Sequence, residues 1–372
     1  LLMQDRSVII LPHEFPPKRG GAGTYCEELL HACKQIGLNA EAWVPKYGQE
    51  TAEGKVVSLP IKGSQSWSCS FRSIRETRKR LNAKTDQVVL HLAEAGSLRA
   101  FIRFGWMLKE NTKFLATIHG SELLKFCSNP LEKFLFRRLL RKAEKIHVLS
   151  AFNKNALLSL FPELETKVFL FPGAPARRLV GRQKASSPLG QKVKILCVGR
   201  IHPRKGQDLL LEAIVKLPQT LSSKLECLLV GPVVDKRFYE KLRGLSKIAN
   251  CSVFFLGDLD DVDLKAVYQE ADLFVMPSIQ AKKSIEGFGF VYLEAGSHGL
   301  PVIAHRTGGV EDAVLDQKTG LLIDPKDPKG LCEAIRRLIE DPEQRLRMGE
   351  EGANWAKSRT WEELAGKIYN LP

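Results

Sequence analysis

Eight cysteines are scattered through the chain, with no C-x-x-C pair and no grouping with histidine, so neither a disulfide framework nor a zinc site is indicated. Long apolar runs are missing too. Stretches such as Ser7-Val8-Ile9-Ile10-Leu11 fall far short of the ~20 residues that span a bilayer. The chain does not open with the charged, apolar and small-residue succession of a secretory signal, and the expected compartment is the cytoplasm. No internal repeat recurs. Basic residues are not interleaved with aromatics as in single-strand binders, so nucleic acid is not an expected partner.

What is present describes a globular enzyme of ordinary composition. The 372 residues are 44% hydrophobic, enough for two domains, each with its own core. The formal net charge is +14, an excess that draws polyanions: nucleic acid, anionic lipid or a phosphorylated substrate. The cations gather in residues 72–80 and at Lys133, Arg137, Arg138, Arg141, Lys142 and Lys145. Leu131, Phe134, Leu135, Leu139 and Leu140 recur among the second set at helical spacing. Residues 131–145 therefore read in two ways. They are an amphipathic basic helix lying on the inner face of an anionic membrane, or a domain helix with a solvated basic face.

Short aliphatic runs alternate with helical patterns. Strands are expected at residues 7–11, 40–44, 88–92, 114–118, 146–149 and 168–171. A second series falls at 194–198, 226–230, 253–256, 273–276 and 302–304. Such alternation implies doubly wound parallel sheets covered by helices. The aperiodic Pro, Gly, Ala and Ser stretch over 172–190 separates the series, and a helical segment over 355–369 closes the chain. Two open α/β domains bind ligands at the carboxyl ends of their strands, which would face one another across a cleft.

The chemistry concentrates at Glu286-Gly287-Phe288-Gly289-Phe290-Val291-Tyr292-Leu293-Glu294. Glycine lets backbone amides approach a ligand, and the apolar run after it reads as a buried helix whose start favours anions. One carboxylate precedes that helix and the other lies within it, a pair suited to bracket an elongated ligand such as a nucleotide sugar. Gly199-Arg200 follows the 194–198 strand, and Lys205-Gly206 precedes the next helix, so both cations stand in a loop suited to a diphosphate. In the first half, His119 ends the strand at 114–118, with a structural and a catalytic role both open to it. Gly20-Gly21-Ala22-Gly23-Thr24 forms a phosphate cradle; with Cys26 in place of a third glycine and a long loop before it, the fit to a dinucleotide fingerprint is poor. Asp258, Asp260, Asp261 and Asp263 precede a helix, where capping explains them better than a metal does.

Glu286 to Glu294, with His298-Gly299-Leu300-Pro301-Val302 and Thr307-Gly308-Gly309, resembles the E-x7-E signature of retaining glycosyltransferases of family 4. Gly199-Arg200 with Lys205-Gly206, Ala271-Asp272-Leu273-Phe274-Val275-Met276-Pro277-Ser278, and Phe15-Pro16-Pro17 before Gly20-Gly21 are similar to its other motifs, in the same order. The resemblance implies the GT-B fold, two Rossmann-like domains facing a cleft. It assigns an acceptor-binding domain to 1–172, a linker to 173–190, a nucleotide-sugar domain to 191–354, and a helix over 355–372 returning to the first domain. By motif position, Arg200 and Lys205 would grip the donor diphosphate, Glu294 the ribose and Glu286 the sugar hydroxyls. Gly199, Phe288, Gly289 and Phe290 would line the donor, Gly21 would touch its phosphates, and His119 would stand near its sugar. No metal or other cofactor is implied. The expected partners are a UDP- or GDP-sugar and a lipid-linked or saccharide acceptor of the cell envelope.

Two stretches depart from the family pattern: Pro172-Gly173-Ala174-Pro175 and Gly231-Pro232-Val233-Val234. Rival readings are a glycoside hydrolase, a nucleotide-sugar epimerase of the same architecture, and a non-catalytic polyanion binder. A hydrolase would leave the cation pair without a role, and an epimerase would need no acceptor. A polyanion binder would not distinguish nucleotide sugars and would release as salt rises.

Overall fold

A computed structural model describes residues 7–18, 20–46, 55–84, 86–181, 192–281 and 284–369. They form two compact units, one from the residues up to Gly173 together with those from Thr360 on, the other from Ala174–Arg359.

The first unit is built on seven strands: β1 (Ser7–Ile10), β2 (Ala40–Pro45), β3 (Lys55–Leu59), β4 (Val88–Leu92), β5 (Lys113–Ile118), β6 (Ile146–Val148) and β7 (Val168–Leu170). They lie parallel in the order β3-β2-β1-β4-β5-β6-β7. β1 is buried throughout because it pairs on both sides, Val8 against Ala40 and Val89. The second unit has β8 (Val193–Val198), β9 (Leu225–Val230), β10 (Ser252–Gly257), β11 (Leu273–Met276), β12 (Val302–His305) and β13 (Gly320–Ile323), in the order β10-β9-β8-β11-β12-β13. The order reverses between β1 and β4 in one sheet and between β8 and β11 in the other. Crevices open at such reversals, where successive loops leave in opposite directions. The loops that follow β1, β4, β8 and β11 are thus the natural ligand-facing segments of each unit.

The closing segment corrects one expectation. Residues 355–369 are not one helix: Trp355 belongs to the helix Pro342–Lys357, and its indole Nε1 donates to Ala313 O at 3.1 Å inside the second unit. The chain breaks at Ser358 and restarts as the helix Trp361–Tyr369, where Thr360 Oγ1 accepts from Glu363 N at 3.2 Å. Thr360-Trp361-Glu362-Glu363 is a capping-box pattern, so the break was written in the sequence. Trp361, Leu364, Ala365, Ile368 and Tyr369 bury themselves in the first unit, against the helix Gly21–Gln35.

A polar network under that helix fixes it. Tyr369 OH meets His91 Nδ1 at 2.7 Å, and His91 Nε2 meets Thr117 Oγ1 at 2.8 Å. Tyr25 OH reaches Thr117 Oγ1 at 3.0 Å and His147 Nδ1 at 3.1 Å, while His147 Nε2 donates to Phe171 O at 2.8 Å. Burial holds both imidazoles neutral, His91 and His147 each lowered to about 3. Their ordinary value is 6.5, so between 6.5 and about 3 the unfolded chain binds more protons than the native one. Stability is therefore lost as pH falls through that window. At about pH 5 the loss is on the order of 2 kcal/mol per histidine. Thermal melts between pH 7.5 and 5 should show Tm falling, and less steeply for His91→Asn once its lower starting Tm is allowed for. A Tm independent of pH across this range would mean that these imidazoles titrate freely.

Candidate active site

β8 ends in the segment that carries the cations. Gly199 and Arg200 leave the strand, a 3-10 turn spans Pro203–Lys205, and the helix Gln207–Val215 follows. Gly206 makes the joint in a left-handed conformation (φ 70°), and a Cβ there would stand 2.1 Å from Pro277 O, so another residue would force the two loops apart. Gln207, itself buried, donates from Nε2 to Arg200 O at 3.0 Å, and His202 Nδ1 accepts from Arg204 N at 3.1 Å. The turn is thus held by its own side chains. Arg200 is exposed and has no ion-pair partner among the described residues. Burial lowers the His202 imidazole, and the nearby charges of Arg200, Arg204 and Lys205 lower it further, a sign of how positive this turn is.

The carboxylate facing the turn is Glu286. One oxygen, Oε2, accepts from Lys205 Nζ and from Arg204 Nη1, both at 2.8 Å. Burial alone would raise this carboxyl; Lys205 and Arg204 overcome it and hold it at about 2. Its backbone is pinned as well, with Glu286 O accepting from Gly309 N at 2.9 Å. Gly289, with φ 89°, starts the helix Phe290–Ser297 without a side-chain cap, and a Cβ there would lie 2.5 Å from the Tyr292 ring. Phe288 and Phe290 are buried against one another, ring centroids 5.4 Å apart.

Glu294 lies one turn into that helix and is buried, accepting from Tyr268 OH at 3.2 Å. The Tyr268 ring stacks on His298 at 5.2 Å, and His298 Nε2 donates to Leu179 O at 2.8 Å. The second unit thus brings Gly199, Arg200, Lys205, Glu286, Phe288, Gly289, Phe290 and Glu294 to the segments around the β8/β11 reversal. Arg204, Gln207 and Tyr268 escaped the sequence reading. Arg204 could have been found, since it stands next to Lys205 at the same turn; Tyr268 could not, because only the fold carries it to Glu294.

In the first unit His119 ends β5, its Nε2 donating to Ala93 O at 2.9 Å and its ring edge-on to Tyr25 at 5.0 Å. Gly21 opens the helix Gly21–Gln35 and is exposed. The expected phosphate cradle already holds an anion: Gly23 N donates to Glu14 Oε1 at 3.1 Å, and a Cβ on Gly20 would lie 2.0 Å from that oxygen. A carboxylate at a helix start satisfies the amides that a phosphate would otherwise take.

Of the four aspartates, Asp260 is the helix cap. Asp260 Oδ1 accepts from Asp263 N at 2.9 Å at the head of the helix Asp261–Glu270, and Asp261 pairs with Arg178 at 3.0 Å. The basic helix expected over 131–145 runs Pro130–Lys142. Of the apolar residues expected to meet lipid, Leu139 and Leu140 are buried in the core of the first unit together with Phe136, and Leu135 is half-buried against it. Leu131 and Phe134 alone of that stripe stand exposed.

Residues 19–173 match the family model described as Glycosyltransferase Family 4, and residues 181–355 the one described as Glycosyl transferases group 1. The chain belongs to glycosyltransferase family 4. This glycosyltransferase has the GT-B fold, two parallel-sheet α/β units with the last helix packed on the first. It is 27% identical over 383 residues to the GDP-mannose-dependent alpha-(1-6)-phosphatidylinositol monomannoside mannosyltransferase of Mycolicibacterium smegmatis, covering 98% of this chain and 97% of that one. Over 391 residues it is 29% identical to the GDP-mannose-dependent monoacylated alpha-(1-6)-phosphatidylinositol monomannoside mannosyltransferase of Corynebacterium glutamicum, covering 99% and 98%. Among solved structures, the sucrose-phosphate synthase of Thermosynechococcus elongatus superposes with a TM-score of 0.78 at 23% identity, over 98% of both chains. Among the described residues, no helix of this family 4 glycosyltransferase is long and apolar enough to cross a membrane.

Proposed function

We propose that this glycosyltransferase moves a hexose from a nucleoside-diphosphate sugar to a hydroxyl of a lipid-linked acceptor of the cell envelope. The anomeric configuration is retained and no metal is needed. GDP-mannose is the donor favoured by the two relatives named above, both GDP-mannose-dependent phosphatidylinositol monomannoside mannosyltransferases matched over nearly their whole length. The observation that carries the reading is the single Glu286 oxygen shared by Lys205 and Arg204, with Arg200, which has no ion-pair partner among the described residues, in the same loop as those cations. Loss of the diphosphate leaves an oxocarbenium-like sugar and growing negative charge on phosphate oxygen. Arg200 and Lys205 stand where that charge would be met, and the helix start at Gly289 adds its amide dipoles. Lys205 can turn to phosphate because Arg204 stays on Glu286 and keeps it ionised. Glu286 then accepts from sugar hydroxyls, and Glu294 holds the ribose. A leaving phosphate oxygen takes the proton of the acceptor hydroxyl.

A melt of the second unit with UDP, GDP, ADP and their sugars tests the donor. A bound nucleotide at about 100 times its Kd adds about 2.7 kcal/mol through mass action, and GDP should give the largest shift. Equal shifts with all three nucleotides would remove the assignment of GDP. Transfer itself should survive excess EDTA, since cations of the chain answer the diphosphate. Activity lost on chelation and restored by Mn²⁺ or Mg²⁺ would show that the aspartates at 258–263 were misread as caps.

A further inference from the structure

The Glu294 carboxylate is held by side chains that have no part in the transfer chemistry. Tyr268, on the helix Asp261–Glu270, is wholly buried and donates from its OH to Glu294 Oε2 at 3.2 Å. Its ring stacks on Phe274 of β11, with centroids 6.2 Å apart, and on His298 at 5.2 Å, where the two planes differ by only 7°. Burial raises the phenol well above its ordinary value of 10, and Glu294 raises it further. The OH therefore keeps its proton and remains a donor.

His298 in turn rests on residues 174–181, the stretch that follows the last residue of the first sheet's unit. Its Nε2 donates to Leu179 O at 2.8 Å, in the turn Arg177–Leu179. Burial lowers this imidazole and keeps it neutral, so Nδ1 carries no proton; that atom is buried with no hydrogen-bond partner among the described residues. Gly181 covers it. A Cβ on Gly181 would stand 1.9 Å from His298 Cε1 and 2.0 Å from Nδ1, so only a glycine fits against that edge of the ring. Arg178 adds a second tie, pairing with Asp261 at 3.0 Å in the first turn of the helix that carries Tyr268. A packed series thus runs from Gly181 through His298 and Tyr268 to Glu294.

We infer that Tyr268 and His298 are positioning residues for the nucleotide ribose, and that residues 179–181 are the wall that keeps them in place. This rests on the reading of Glu294 as the ribose carboxylate. Two ribose hydroxyls need a carboxylate turned to one orientation, and the Tyr268 hydrogen bond sets it before the nucleotide arrives, which lowers the ordering cost of binding. Close-packed rings transmit a displacement rather than absorb it. Preference for an intact ribose is therefore set in part by the stretch of chain that leads into the second unit.

Calorimetry on the whole chain with GDP, UDP and the 2′,3′-dideoxy form of each tests this. The wild type should bind its preferred nucleotide about tenfold or more tightly than the dideoxy form, which leaves the buried carboxylate without those donors. Tyr268→Phe keeps the stacked ring. It should weaken the intact nucleotide about tenfold and leave the dideoxy form nearly unchanged, and in turnover the loss should appear in donor KM more than in kcat. Gly181→Ala, which removes no hydrogen-bonding side chain, should lower the same preference by pushing on the His298 ring. In His298→Ala that space is open, so adding Gly181→Ala should cost little more. Melts without nucleotide show which variants are folded. Equal wild-type affinity for both forms would mean that Glu294 does not hold the ribose, and the inference would fall with that reading. A wild type that discriminates beside a Tyr268→Phe protein that discriminates as well, or that loses both forms alike, overturns the inference alone. So does a Gly181→Ala protein that binds like wild type, or one whose effect adds in full to that of His298→Ala.

Discussion

Lys205→Ala and Arg200→Ala are each expected to lower kcat by about 10²-fold or more, the scale of losing one preorganised donor to developing charge. Neither change should unfold the protein. Arg200 is exposed, and removing Lys205 leaves the Arg204–Glu286 pair intact. The effect belongs to turnover rather than to donor affinity because the charge on the diphosphate grows as the glycosidic bond breaks. Glu294→Gln is the contrast: ribose hydroxyls change little during the reaction, so KM for the donor should rise with kcat nearly kept. Steady-state kinetics of the three variants, with GDP and UDP affinities alongside, separate these outcomes. Turnover near wild type in both cation variants would place the diphosphate elsewhere.

Glu286→Ala is expected to do something different, because it strands two cations. Arg204 and Lys205 side chains are only 10% and 12% exposed, and Glu286 is the carboxylate between them. Removing one member of a largely buried ionic cluster costs about 3–5 kcal/mol, since the remaining charge is left without compensation. For a unit of this size the melting temperature should drop on the order of 10 °C, and turnover should fall as well. Adding Arg204→Met to Glu286→Ala should recover part of the stability and none of the turnover. The double-mutant cycle reads the coupling directly. A Glu286→Ala protein that melts like wild type would mean that water already screens both cations.

The parts of this picture that were legible share a local cause. Strands buried on both sides must be apolar along their length, so β1, β4, β8 and β11 announced themselves as runs such as Ser7-Val8-Ile9-Ile10. The two strands not foreseen, β3 and β13, each lie at one edge of their sheet, although the opposite edges, β7 and β10, were foreseen. An edge strand has one neighbour, and Lys55-Val56-Val57-Ser58-Leu59 accordingly mixes charged and polar residues into its pattern. At the site, the glycines and the two glutamates were visible because backbone geometry and ordered motifs constrain them. Their partners were not. Nothing local says that Tyr268 reaches Glu294, that Arg204 shares Glu286 with Lys205, or that Glu14 folds back onto Gly23. Tyr268 and Glu294 come from different helices and Arg204 and Glu286 from different segments that only the fold brings together, while Glu14 folds back over nine residues onto the start of the helix Gly21–Gln35. The two readings of 131–145 stayed open in the sequence for a related reason. Helical spacing identifies an apolar side but is silent on what covers it, and here the unit's own core covers Leu139 and Leu140 while Leu131 and Phe134 stay exposed.

The helix Trp361–Tyr369 gives the first unit a discontinuous sequence, and this has a consequence for how the protein is made. During synthesis, the sheet from β1 to β7 emerges before any of Ala174–Arg359, yet the hydroxyl that His91 needs is on Tyr369. Until then the surface of Gly21–Gln35 that receives Trp361, Leu364 and Ile368 stays open to water. The second unit, continuous in sequence, can reach its final packing first, although it begins later. Completion of the first unit therefore waits for residues 360–369 to be made, and a ribosome stalled near residue 359 would hold one finished unit and one unfinished unit on the same chain.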